Sequence, residues 1–281
     1  MPSFDTPEPI SVTVHLDAGS VQFLAGDRRD TVVGVRPRDA RRDQDVRAAE
    51  QAGVTYASGT LTVRSPKPRR LLGRTGTVDV TVELPAGSRV DMTGTWVQVL
   101  SEGRLGEVRV KNSSGDVRLD ATGPLHLTAA HGSVTVGHVE GAAEIATSSG
   151  SLRVGTVDGP ATLKNSHGTT TLAAVTGDLR VSGAHGDIDI ARAEGSVTAT
   201  TAHGALRLAD VARGSVQLET SSGSIEVGIR EGAAAWIDVA CTSGQVRNAL
   251  TGAEAPQKTA DTVEVHARTR HGNIDILRAH A

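Results

Sequence analysis

At 281 residues the chain has room for one large domain or two, and a formal charge of −3 excludes a global field that would draw it to nucleic acid or an anionic membrane. Aromatic residues make up only 2%, too few for a compact sandwich of this length, whereas a narrow core of Val, Ile, Leu and Ala needs none. Cys241 is the lone cysteine, so no intrachain disulfide forms, as suits a reducing compartment.

The opening residues, Met-Pro-Ser-Phe-Asp-Thr-Pro-Glu, carry neither a basic nor an apolar leader pattern, and no stretch is apolar enough to span a bilayer. A cytoplasmic protein without membrane insertion is expected. Residues 10–16, 20–24 and 31–35 alternate as strands, with Gly19 and Gly26-Asp27 as turns. Between 36 and 51 the pattern dissolves into charged residues, which fits a loop or a short helix equally. Tyr56 and residues 61–63 resume strand character. Residues 1–74 are therefore expected to form an N-terminal β cap with a charged loop, protecting the first edge of the strands that come after it. The basic run at 64–74, without aromatic partners or helical spacing, reads as a solvated, proline-stiffened loop.

Residues 77–84 form a clean alternating strand, and beyond it the chain becomes repetitive. Glycines at 132, 141, 150, 159, 168, 177, 186 and 195 stand nine apart without a slip. Each unit reads Gly-x-apolar-x-apolar, as in Val134 and Val136, Leu152 and Val154, or Ile188 and Ile190. Alternate units add an aliphatic at the eighth place (Val139, Val157, Val175, Val211), while the others end in small polar triplets such as Asn-Ser-His and Thr-Ala-His. The period is thus eighteen, two strands per coil.

One coil orders eighteen residues at about 1–2 kcal/mol of backbone entropy each. About five aliphatic side chains return only ~1.5–3 kcal/mol apiece. Coils must stack to survive, so residues 75–281 are expected to form a β-solenoid repeat region in a single-domain, all-β fold. Stacking makes residues eighteen apart cross-strand neighbours, and Asp189, Arg207 and Glu226 then alternate in sign on consecutive coils. A left-handed hexapeptide solenoid needs an aliphatic every six residues, and a calcium-binding nonapeptide solenoid needs Gly-Gly-x-Gly-x-Asp; neither pattern is present. Trp96 and Trp236 flank the regular block and are expected to pack near its ends. Residues 250–260 read as a bulging loop, after which 262–267 and 273–277 should close the stack.

His167, His185 and His203 occupy one place in three consecutive coils, with His131 and His271 at matching places further off. Imidazoles about 4.8 Å apart could hold a divalent ion. Serine takes that place in other coils, and no carboxylate or thiol recurs beside it, so the expected reading is a solvent-facing turn with no metal and no cofactor. Asp187 and Asp189 resemble an acid pair, but the neighbouring coils offer Thr169 and Thr171, then Ala205 and Arg207. Cys241 reads as a small packed residue. No catalytic residue is expected.

The segments Ile-Ser-Val-Thr-Val-His-Leu-Asp-Ala-Gly-Ser-Val-Gln (10–22) and Val-Asp-Val-Thr-Val-Glu-Leu-Pro-Ala-Gly-Ser (78–88), with the repeated Ser-Ser-Gly units, resemble the bacterial β-strand-repeat proteins grouped as candidate adhesins of unknown function. The resemblance covers nearly the whole chain and implies a β-solenoid without agreed catalytic residues. Its adhesin label implies export. A non-enzymatic, adhesin-like module that binds a protein partner or serves as a scaffold is the expected function. The alternatives are end-to-end assembly of copies into filaments, and glycan or metal binding; nucleic acid is not an expected partner.

Overall fold

The fold is taken from a computed structural model that describes residues 2–65, 76–250 and 261–279. It is a β-solenoid of parallel strands with one helix among the described residues, and it divides into two compact units, Met1–Glu140 and Gly141–Ala281.

In the first unit the organising element is the sixteen-residue strand Ser11–Gly26. Along one edge it pairs in parallel with Arg89–Glu102, from Ser11 opposite Arg89 to Leu24 opposite Glu102. Its other edge takes two shorter parallel partners, Thr60–Arg64 and Val78–Pro85. Gly19 does not end this strand as expected. It bends it, at φ 137°, and an added Cβ would lie 1.7 Å from the Val78 carbonyl oxygen.

The outer edges are closed by antiparallel pairing: Asp30–Pro37 on Val78–Pro85, Ser3–Asp5 on Asp30–Pro37, and Gly53–Ala57 on Thr60–Arg64. Such pairing blunts an otherwise open template for aggregation. The ambiguous charged stretch contains a helix, Asp43–Gln51, with Asp43 and Asp45 in the first turn, where negative charge suits the helix dipole. Asp45 is buried and its Oδ1 accepts from the Thr77 amide at 2.8 Å, which anchors the helix. Further along, Val90 stacks on Val108 eighteen residues on, and Val108 on Leu125 seventeen on, so the uneven glycine count reflects a coil one residue short.

The second unit shows the repeat at its most regular. Ala143 pairs with Ala161, Ala161 with Leu179, Leu179 with Val197 and Val197 with Val216, at steps of eighteen, eighteen, eighteen and nineteen. Coils alternate a seven-residue strand with a six-residue one, as in Ala161–His167 and Thr170–Val175. Leu163, Leu172, Val175, Val197 and Leu206 are buried to 1% exposure or less. Each contributes about 1.5–3 kcal/mol through burial.

Corner glycines explain why the repeat keeps a glycine at each of these turns. At Gly204, φ is +147° and a Cβ would lie 2.1 Å from the Gly186 carbonyl oxygen; Gly186 stands in the same relation to Gly168, at 2.2 Å. Backbone stacks on backbone there, which only glycine permits.

The last two coils depart from chain order. Thr262–His271 pairs on one side with Gly214–Ser222 and on the other with Ala234–Ser243. Likewise Ile274–Arg278 lies between Ile225–Ile229 and Val246–Asn248. The segment expected to close the stack is therefore its penultimate layer, and Ala234–Ser243 with Val246–Asn248 is the terminal one. The loop read at 250–260 and most of the basic run lie outside the described residues.

Candidate functional site

Period-two alternation assigns each residue of a coil to the core or to the outside, and the chemistry-bearing side chains of the second unit stand in outward columns. His167, His185 and His203 pair in register, all exposed. Their rings stack at centroid separations of 5.1 and 5.0 Å, with interplanar angles of 21° and 6°. The column continues through Ser222 to His271 and Ser243. Among the described residues no group of three or more His, Cys, Asp or Glu side chains is placed to hold a metal ion.

The first residue of each polar triplet faces inward, which the sequence reading missed. Asn165, Thr201, Thr220 and Thr269 form a buried polar column. Asn165 Nδ2 donates to the carbonyls of Gly150 and Gly168, both at 3.1 Å, and Thr220 Oγ1 donates to Gly204 O at 3.2 Å. Thr269 does the same for Gly223 O at 3.0 Å. These groups satisfy carbonyls that the corners turn away from the strand ladders. Counting in twos from Ala161 and Leu163 would have placed Asn165 inside.

Asp187 and Asp189 do not work as a pair. Asp187 Oδ1 accepts from the Ala205 amide at 2.8 Å, one coil on, as Asp178 Oδ1 does from Ser196 at 3.0 Å. Asp189 lies in register with Arg207, and Arg207 Nε contacts Glu226 Oε1 at 3.1 Å, as the alternating ladder requires. Cys241 is half-buried opposite Thr269.

Further round the coil Arg230 joins Asp210 at 2.8 Å and Glu194 at 2.9 Å, while Arg192 reaches Asp210 at 3.0 Å. The hydrogen bond from Arg230 holds the Glu194 carboxyl below its usual range, and the Asp210 and Glu194 carboxylates raise Arg230 in turn.

Neither tryptophan packs at a core end as expected: Trp96 is 67% and Trp236 55% exposed. Trp236 sits in the terminal coil with its ring 5.3 Å from that of His266, whose Nε2 lies 2.9 Å from Glu264 Oε1. Beside it Arg268 bonds Asp238 at 2.5 Å and lowers that carboxyl.

The fold and these columns define a β-solenoid with sealed coils and patterned outer faces. Residues 55–277 match the Toastrack DUF4097 family, and the chain belongs to it. No curated protein matches. Seven chains of solved structure are similar. A candidate cell adhesion protein from Clostridium sporogenes is 10% identical, with 99% of this chain and 98% of that one covered and a TM-score of 0.22. A candidate adhesin from Bacteroides fragilis is 13% identical, with 98% and 95% covered and a TM-score of 0.34. Another from Parabacteroides merdae is 11% identical, with 99% and 96% covered and a TM-score of 0.38.

Proposed function

We propose that the protein is a non-enzymatic, adhesin-like recognition and scaffold module that meets a protein partner with the outward columns of its coils. The observation that carries this reading is the use made of its polar groups. Asp187 and Asp178 cap backbone amides, Asn165 and the buried threonines serve corner carbonyls, and Asp189, Arg207 and Glu226 alternate in sign along an open face. A binding surface needs such fixed charge patterns, since complementary potentials set specificity and on-rate.

Reversing the ladder with Arg207→Glu and Glu226→Arg tests it. Partner capture from the native host is expected to fall by about tenfold or more, while capture by a variant reversed at Arg104 and Glu140, in the first unit, is retained. Unchanged capture by the Arg207/Glu226 variant, with circular dichroism showing intact strands, would overturn the reading.

A second reading, association of copies end to end, is favoured by the terminal coil. Among the described residues Ala234–Ser243 has a strand partner on one edge only, and Trp236 and Val246 are 55% and 45% exposed there. It predicts concentration-dependent oligomers in light scattering that Trp236→Ser with Val246→Thr abolishes.

A further inference from the structure

The first unit contains a pocket that the outer-face reading leaves unused. At the corner where three layers turn, a cavity of about 400 Å³ is lined by His15, Leu16, Asp17, Arg64, Ser65, Thr93, Gly94 and Thr95. That lies within the ~300–1,000 Å³ of small-ligand pockets. Trp96 follows Thr95 and lies in register with Ala18, the residue after Asp17, so the most exposed large apolar side chain described is next in the chain to the pocket lining. An aromatic residue normally buries about 150–250 Å². The same place in the next two layers is held by Ser114 and His131, so this exposed indole is particular to the layer beside the pocket.

We propose that this corner binds a sugar residue bearing a carboxylate, as in a uronic-acid-containing glycan. Register places Arg64, His15, Thr93 and Lys111 in one row across successive strands, three basic residues with one hydroxyl among them. Among the described residues the side chains of Asp17, His15 and Arg64 enter no ion pair. Arg64 and His15 suit a carboxylate, Asp17, Thr93 and Thr95 suit ring hydroxyls, and the indole face suits the apolar side of a pyranose.

A phosphate ligand is disfavoured because it is best held by free backbone amides. The Asp17 amide already donates to Ser65 Oγ at 3.2 Å and the Ser65 amide to His15 O at 2.9 Å, so neither of these two amides is free to cradle it.

Trp96 and Trp236 are the only tryptophans, so Trp236→Phe leaves Trp96 as sole emitter. Titration with an oligogalacturonate is expected to change its fluorescence saturably, with binding weakened about tenfold by Arg64→Gln or by Thr93→Val. Calorimetry on the otherwise unaltered chain, with and without Trp96→Ala, gives an independent readout and is expected to show the same loss. Absence of binding, binding equal to that of a neutral hexose oligomer, binding untouched by all three substitutions, or a response to a nucleotide but not to the uronate would each overturn the proposal.

Discussion

Single residues decide whether one coil can lie on the next. Gly204 is the sharpest case, because its φ of +147° and its approach to the Gly186 carbonyl both exclude a side chain. Gly204→Ala is expected to destabilise by about 3 kcal/mol or more, since backbone strain alone costs ~1–3 kcal/mol. Gly53→Ala, where nothing lies within 4 Å of the added carbon, should stay within about 0.5 kcal/mol of the parent. Asn165→Ala removes two carbonyl partners and should cost about 1–3 kcal/mol. Urea unfolding of the three variants checks all three values. The glycines were legible because a steric demand recurring every nine residues leaves a visible period. Asn165 was not, because a buried amide beside Ser166 and His167 has the composition of an exposed turn.

Among elements, the order of the last coils and the Arg230 network matter most. The step from Val216 to Val265 spans the whole of Ala234–Ser243, and that inversion was not legible. Neighbours in sequence are usually neighbours in space, and nothing in the alternation of 234–243 distinguishes the outer layer from the inner. The exposure of Trp236 follows from the same inversion, which is why it was expected to be packed. Helix Asp43–Gln51 was half legible, since charged residues serve a loop as well as a helix.

Arg230 ties Glu194 to Asp210 one coil away. Because the Glu194 carboxyl is lowered in the folded state, the unfolded chain binds its proton first as pH falls. The network's contribution should be complete above the ordinary glutamate range near 4.5 and be lost as pH drops through the depressed folded value. Arg230→Met is expected to flatten that part of the curve of melting temperature against pH and to cost ~1 kcal/mol at neutral pH. An acid limb of unchanged steepness would show that other carboxylates govern it.

For the molecule as a whole, one register is decisive: in the regular coils of the second unit, residues eighteen apart are cross-strand neighbours, and the outer faces and the buried polar column follow from it. Fold class was legible because period two within strands and period eighteen between them reinforce one another from Gly132 to Val211. The outer face was legible only as a pattern of charge, since Asp189, Arg207 and Glu226 show in sequence that charges alternate but not what they meet. The corner beside Trp96 was not legible, because Arg64, Asp17 and Thr95 converge only after the strands stack.

The most direct measurement is a disulfide. In a Cys241→Ser background, His167→Cys with His185→Cys places two thiols on neighbouring parallel strands about 4.8 Å apart, within the ~4.4–6.8 Å between Cα atoms that a disulfide accepts. Mild oxidation is expected to give an intramolecular crosslink by mass spectrometry, and His167→Cys with Ala184→Cys, one residue out of register, is expected to give little. Equal crosslinking of the two pairs, or none in the first, would contradict the stacked register.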